Sequence, residues 1–188
     1  MRNSKLKILV STDKKYAPYC GVTLTSCFIS NPESEAYVLI GERLAKKDMK
    51  RFSQLEKRFN TKIHFIYVSN ELFNGAPLLM WSLPMYYRLL APTVLPEELD
   101  RILYLDCDIV VNDDLTEFWN MDMSDHSAAV VIESDSYAPN FNHIKRLNYD
   151  ASLGYFNSGM MLINLEFWRK MNVFQQGIDY LRNKLNEK

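Results

Sequence analysis

Two hydrophobic periods alternate along the first seventy residues. "KILVST" (Lys7 to Thr12) is a short, almost continuous apolar run, the pattern of a strand buried on both faces of a parallel sheet. "PYCGVTLTSCFIS" follows as a predicted helix with Pro18 in its first turn, ending before Asn31-Pro32. "AYVLIG" (Ala36 to Gly41) is a second apolar run. "ERLAKKDMKRFSQLEKRFN" then spaces Leu44, Met49, Phe52, Leu55 and Phe59 at near-helical intervals with charges between them. "KIHFIYVS" (Lys62 to Ser69) gives a third strand. Strand, helix, strand, helix, strand predicts an α/β fold, helices covering a Rossmann-like, mostly parallel sheet.

Beyond Ser69 the pattern is more broken. "NELFNGAPLLMWSLP" reads as a loop carrying Gly75 and Pro77, and "MYYRLLAPTVLP" as a short helix that ends near Ala91-Pro92. "RILYLDCDIVV" is a further strand. "DDLTEFWNMDM" begins a helix with Asp114 as N-cap, since Glu117 stands three residues on. "SAAVVIES" is a strand, and Ser134 to Gly154 form a polar and aromatic loop of a length that points to function. "YFNSGMMLINLEFWRKM" runs from strand into helix, and Phe174, Ile178, Leu181 and Leu185 share one helical face at the end. With no internal repeat, low-complexity segment or linker, residues 1–188 read as a single domain.

Composition narrows the functional classes. The 188 residues are 47% hydrophobic and 24% charged, an ordinary globular balance with enough chain for a core. A net charge of −1 without a basic half argues against nucleic-acid binding through a broad electrostatic face. Cys20, Cys27 and Cys107 are odd in number and lack metal-site spacing, so neither a disulfide framework nor a zinc site is expected. No apolar run approaches the ~20 residues of a membrane span, and the start does not read as a signal peptide. The expected location is the reducing cytoplasm.

The chemistry centres on "LYLDCDIVV". Asp106 and Asp108 interrupt an apolar run, where unpaired carboxylates cost several kcal/mol to bury. Residues i and i+2 of a strand share one side, and the carboxyl ends of parallel strands face the crevice where such sheets bind ligands. Two carboxylates converging there suit Mg²⁺ or Mn²⁺ and a diphosphate compound. The pair can also be read as two exposed aspartates opening a turn, with Asp113 and Asp114 as turn and cap residues. Two enzyme classes use a strand-end Asp-x-Asp. One is nucleotide-sugar transfer. The other is the haloacid-dehalogenase type of phosphatase, with Asp106 as nucleophile and Asp108 as general acid. The phosphatase would need a second acidic pair at a later strand end, and none follows Lys145 or Lys170.

Three segments taken together decide between them. "ILVSTDKKYAPYCGVTLTSCF", "MYYRLLAPTVLPEELDRILYLDCDIVVNDDLTEFW" and "YFNSGMMLINLEFWRK" closely resemble glycosyltransferase family 8, in order and spacing, from about Lys7 to the end. The family includes retaining bacterial galactosyl- and glucosyltransferases. The resemblance implies a GT-A nucleotide-diphospho-sugar transferase fold and a UDP-galactose or UDP-glucose donor. It further implies Mn²⁺ or Mg²⁺ and a saccharide acceptor, with cell-surface polysaccharide or lipopolysaccharide as the setting. By motif, Thr12 and Asp13 resemble the residues at the uracil and ribose end, and Tyr16 the ring that stacks on uracil. Arg88 resembles the arginine that reaches the diphosphate and donor sugar. Asp106 and Asp108 resemble the metal and ribose ligands. Glu133 occupies a place where the family often has an acidic residue facing the sugar, and Asn157 resembles a donor-sugar contact. Cys107, between the two aspartates, is expected to point into packing.

Two departures stand out. Lys14-Lys15 replaces the polar Asp-Asn pair that often precedes the stacking tyrosine. The family's later acidic segment and its His-x-x-Gly-x-x-Lys-Pro-Trp motif, whose histidine completes the metal site, have no counterpart before Lys188, and His64, His126 and His143 stand in other contexts. The chain therefore reads as the donor-binding part of a longer enzyme, either active in transfer or a module that binds a UDP-sugar without turnover.

Overall fold

A computed structural model of the chain describes residues 5–76, 82–133, 150 and 154–185. Most of the loop expected at Ser134 to Gly154 lies outside the described residues, as do Pro77, Lys145 and His143. The predicted alternation is present as β1 (Lys7–Thr12), α1 (Ala17–Ser30), β2 (Glu35–Ile40), α2 (Lys46–Phe59) and β3 (Ile63–Tyr67). Then come 3-10 helices at Asn70–Phe73 and Leu83–Leu90, α3 (Ala91–Val94), β4 (Arg101–Leu105), α4 (Thr116–Trp119) and β5 (Ala128–Ile132). The described chain ends with β6 (Phe156–Asn164), α5 (Leu165–Lys170) and α6 (Val173–Leu185).

The strands form one sheet in the order β3-β2-β1-β4-β6-β5. Strands β3, β2, β1 and β4 are parallel, β6 runs against β4, and β5 runs against β6, so only β6 is reversed. The chain moves outward from β1 to β3, then returns to place β4 on the other side of β1. That reversal makes the β1/β4 boundary the topological switch point, where a crevice opens beyond the carboxyl ends of the strands. The register Leu9↔Tyr104 carries Thr12-Asp13 and Asp106 to that same edge.

Strand alternation divides the apolar side chains between two cores. Ile8, Val10, Leu103 and Leu105 pack beneath α1 and α2 with Leu24, Cys27 and Phe52. Leu9, Leu39, Ile102 and Tyr104 pack on the other side with Tyr87, Leu165, Trp168 and Ile178. Helix α2 buries Phe52 and half-buries Met49, Leu55 and Phe59, as its spacing predicts, and closes on Asn60 in the left-handed region (φ 48°). Leu44, placed with that helical face by the sequence, is buried just before the N-cap residue Ala45.

Three boundaries differ from expectation. The strand at "RILYLDCDIVV" ends at Leu105. There the main chain makes one further ladder-like bond, from Asp106 N to the Gly159 carbonyl at 2.7 Å, and turns. The helix expected to stop at Ala91-Pro92 is 3-10 up to Leu90, and Pro92 then opens α3; proline is tolerated there because a first-turn N–H has no helical partner to lose. Asp114 does not hold the N-cap position, which falls on Leu115; its Oδ1 instead accepts the Thr116 N–H at 2.8 Å in a tight turn.

Arg169, on α5, secures the segment that leads into β4. Its guanidinium donates to the carbonyls of Pro92 (3.1 Å), Pro96 (2.9 Å), Glu97 (3.1 Å) and Leu99 (2.8 Å). Arg169→Ala strips all four of their charged donor and should lower unfolding stability by about 2–4 kcal/mol. Arg169→Lys should recover only part, because a single ammonium cannot reproduce the planar fork. Urea denaturation of the three proteins measures both differences.

Candidate functional site

Four segments meet at the switch point. From β1 come Thr12, only 1% exposed, and Asp13. Asp13 Oδ1 accepts the Tyr16 N–H at 2.8 Å and its carbonyl accepts the Ala17 N–H at 2.9 Å, so this residue also shapes the entry to α1. Tyr16 is half-buried, with its ring 5.6 Å from that of Tyr19 and the Lys15 ammonium 5.6 Å over its centre. Lys14 is engaged elsewhere: its N–H donates to Glu42 Oε1 at 3.1 Å and its ammonium pairs with the same carboxylate.

The 3-10 helix Leu83–Leu90 supplies Arg88, whose side chain is 11% exposed. Its Nε donates to the Met85 carbonyl at 2.9 Å, Nη1 to the Ser158 carbonyl, and Nη2 to Asp106 Oδ1 at 2.9 Å. The preceding residue, Tyr87, points the other way, and its hydroxyl bonds Asn70 Oδ1, while Asn70 Nδ2 donates to the Gly41 carbonyl at 3.4 Å. The arginine is thus carried on a helix moored to the end of β2.

From β4 come Asp106, half-buried, and Asp108, exposed. They leave the sheet in a turn rather than along a regular strand, yet both line the same cleft. Tyr104, two residues before Asp106 and on the same side of the strand, donates its hydroxyl to Asp106 Oδ1 at 2.6 Å. Burial pushes the Tyr104 phenol well above its ordinary range; nearby Arg88 opposes this and Asp106 adds to it, so the group is a neutral donor. Cys107 packs partly against the α1/α2 core, as its place between the aspartates predicts, but it also lines the cleft with them because the chain turns there. Burial first, then the charges of Asp108 and Asp106, push its thiol up to about 12, which leaves it protonated and a poor nucleophile.

Thr12, Asp13, Tyr16, Arg88, Asp106 and Asp108 all line this one cleft of about 630 Å³. Glu133 and Asn157 stand beside it. Asn157 Nδ2 donates to Glu133 at 3.1 Å, and its Oδ1 accepts the Gly159 N–H at 2.7 Å; the Gly159 carbonyl in turn receives Asp106 N. A register shift between Val130 and Val131 brings Asn157 opposite Val131, four residues from Met161 opposite Val130. On the other edge of β6 the register is regular: Leu105 lies opposite Met160, which puts Gly159 opposite Asp106. A second hollow, about 510 Å³ between α1 and α2, is mainly apolar and lies away from the paired carboxylates.

The donor set suits a hard cation held jointly with a ligand. Among the described residues no group of three or more His, Cys, Asp or Glu is placed to hold a metal. Asp106 and Asp108 would therefore fill only part of a shell that phosphate and water oxygens complete, the usual manner for Mg²⁺. His64 lies on β3, stacked on Tyr37 and 3.7 Å from Glu35. Sequence reasoning passed over Tyr104, Gly159 and the Tyr87–Asn70–Gly41 mooring. The period of two from Asp106 back to Tyr104 was the available signal for the first; the others depend on long-range contacts.

A model of the family described as Glycosyl transferase family 8 matches residues 7–188. Among curated proteins, General stress protein A of Bacillus subtilis is 28% identical across 100% of this chain and 66% of its own length. A lipopolysaccharide 1,3-galactosyltransferase of Salmonella typhimurium is 28% identical over 95% of the chain and 54% of its own. A lipopolysaccharide 1,2-glucosyltransferase of Escherichia coli is 31% identical over 92% and 51%. The chain thus spans about half to two thirds of these relatives. The crystal structure of the galactosyltransferase LgtC with donor and acceptor sugar analogs superposes with a TM-score of 0.83 at 27% identity, covering 95% of this chain and 66% of that one. The GT-A architecture is therefore the fold observed here.

The mooring under Arg88 can be tested directly. A methyl group at Gly41 would overlap the Tyr87 hydroxyl and Asn70 Oδ1. Gly41→Ala should lower unfolding stability by about 1–3 kcal/mol through this overpacking, and combining it with Tyr87→Phe should not add a full second penalty. Chemical denaturation of the single and double variants checks both.

Proposed function

The chain belongs to glycosyltransferase family 8, and from that premise we propose that it is the donor-binding GT-A domain of a retaining UDP-hexose transferase. The observation that carries this reading is the gathering of Tyr16, Arg88, Asp106 and Asp108 into one cleft at the switch point of the sheet. Galactose or glucose is the hexose we infer, because relatives are named as lipopolysaccharide galactosyl- and glucosyltransferases. The acceptor is a saccharide hydroxyl in cell-surface polysaccharide or lipopolysaccharide, and the donor is drawn from the cytoplasm. Among the described residues no helix is long and apolar enough to cross a membrane.

The chemical task is to part a sugar from a diphosphate. Asp106 and Asp108 would hold Mn²⁺ or Mg²⁺ against the diphosphate; such an ion, when bound, neutralises the charge that gathers on the departing UDP. Arg88 spends three of its five N–H donors on Met85, Ser158 and Asp106, which leaves two for a phosphate or sugar oxygen. Tyr16, Thr12 and Asp13 all line the cleft; we assign the Tyr16 ring to uracil and Thr12 and Asp13 to the ribose and base end. Base and ribose contacts of this kind orient the anomeric carbon from a distance. No general acid is required, because the leaving diphosphate is already a weak base. Glu133 and Asn157, bonded to each other at 3.1 Å, are the residues we assign to the donor sugar. Family membership favours this chemistry over the dehalogenase-type phosphatase. A second reading is a module that binds UDP-sugar without turnover; among the described residues no third His, Cys, Asp or Glu joins Asp106 and Asp108 to hold a metal.

UDP should raise the melting temperature in the presence of Mn²⁺ and leave it nearly unchanged in EDTA. Asp106→Asn and Asp108→Asn should each remove most of that metal-dependent shift. Retention of the full shift in both variants would refute the assignment. Release or transfer of hexose from UDP-galactose or UDP-glucose separates an active domain from a binding module.

A further inference from the structure

Asp106 presents its two carboxylate oxygens to different surroundings. Oδ1 accepts from the Tyr104 hydroxyl at 2.6 Å and from Arg88 Nη2 at 2.9 Å. A carboxylate oxygen has two in-plane lone-pair directions, and two donors occupy both. Oδ2 faces Gly159, where an added β-carbon would lie 2.9 Å from it. The same β-carbon would lie 2.9 Å from Asn157 Oδ1, so a side chain at this position would crowd Oδ2; Asp106 lines the cleft with its side chain 38% exposed, and with Oδ1 taken, Oδ2 is the oxygen left for a ligand. The residue as a whole is fixed by its N–H, bonded to the Gly159 carbonyl at 2.7 Å. Tyr104 is itself fixed: it is 2% exposed, packed among Leu9, Ile102 and Met161, with the Arg88 guanidinium 4.2 Å over its ring.

From this arrangement we propose that Tyr104 is a positioning residue which, with Arg88, saturates Oδ1 and so restricts Asp106 to ligation through Oδ2 alone. The inference rests on the reading of the cleft as a metal–UDP site. It adds a consequence for the choice of metal. A carboxylate confined to one oxygen suits a small octahedral ion such as Mg²⁺, and Mn²⁺ shares that oxygen geometry. Ca²⁺ takes six to eight oxygens and readily accepts both oxygens of one carboxylate. The Tyr104 hydroxyl therefore disfavours Ca²⁺ without touching the ion, and Gly159 is needed for any ion to reach Asp106.

The test measures UDP binding by calorimetry with MnCl₂, MgCl₂ or CaCl₂, for the wild-type chain, Tyr104→Phe and Gly159→Ala. Tyr104→Phe keeps the ring and its contact with Arg88 and removes only the hydroxyl. The expected result is a Mn²⁺-dependent affinity about tenfold weaker, with the preference for Mn²⁺ over Ca²⁺ narrowed by about threefold or more. Gly159→Ala, with the Oδ1 bonds intact, should lose metal-dependent UDP binding with all three ions while still unfolding cooperatively. An unchanged metal ranking in Tyr104→Phe overturns the proposal, and so does wild-type Mn²⁺–UDP affinity in Gly159→Ala. Absence of metal-dependent UDP binding in the wild-type chain overturns the reading of the cleft itself, which separates the two failures.

Discussion

A carboxylate at the mouth of an apolar strand has to be compensated on its inner side and left open on its outer side, and much of this fold is arranged around Asp106 doing both. Its inner oxygen meets a buried phenol and a nearly buried guanidinium, each a donor that cannot easily be replaced by water. Those two groups come from opposite construction rules. Tyr104 is delivered by strand periodicity, because i and i+2 share a face. Arg88 is delivered by a 3-10 helix whose position depends on Tyr87, Asn70 and Gly41, at the end of a strand two places away in the sheet.

The other flank of the acidic turn is held just as firmly. After Asp108 the chain runs along the end of α1. There Ser26 Oγ accepts the Val111 N–H at 3.0 Å. Asn31, 6% exposed, donates to the Asp113 carbonyl and accepts the Leu115 N–H at 2.7 Å. The turn that carries the two aspartates is thus bonded to α1 on one side and β6 on the other. Rigid mounting of this kind supports the diphosphate-binding role proposed for the cleft, since small misplacements of a charged ligand are costly to transfer chemistry.

The cores explain why the site can be both polar and stable. Each strand divides its side chains between the α1/α2 layer and the layer of α3, α5 and α6. The polar residues gather where the strands end and the two layers part. Cys107 illustrates the boundary: half-buried against the α1/α2 core, it also lines the cleft between the two aspartates as an inert thiol.

Much of this was written in the sequence because it depends on neighbours along the chain. Apolar runs at Lys7 to Thr12 and Ala36 to Gly41, the spacing of Met49, Phe52 and Phe59, and the acidic residues that follow "RILYL" pointed to the α/β class and to Asp106 and Asp108. The resemblance of three motifs added Tyr16, Arg88 and Asn157. Local pattern failed where competing long-range bonds set the outcome. The strand stopped at Leu105 because Asp106 turns once its N–H has met Gly159. The 3-10 form of Leu83–Leu90, the reversal of β6 and the bulge opposite Asn157 likewise belong to packing between distant segments. Side-chain period and residue type therefore determined which groups could reach the crevice. Only the tertiary structure decided which oxygen of Asp106 is spent on Tyr104 and Arg88 and which is left to face Gly159, because those partners come from three separate parts of the chain.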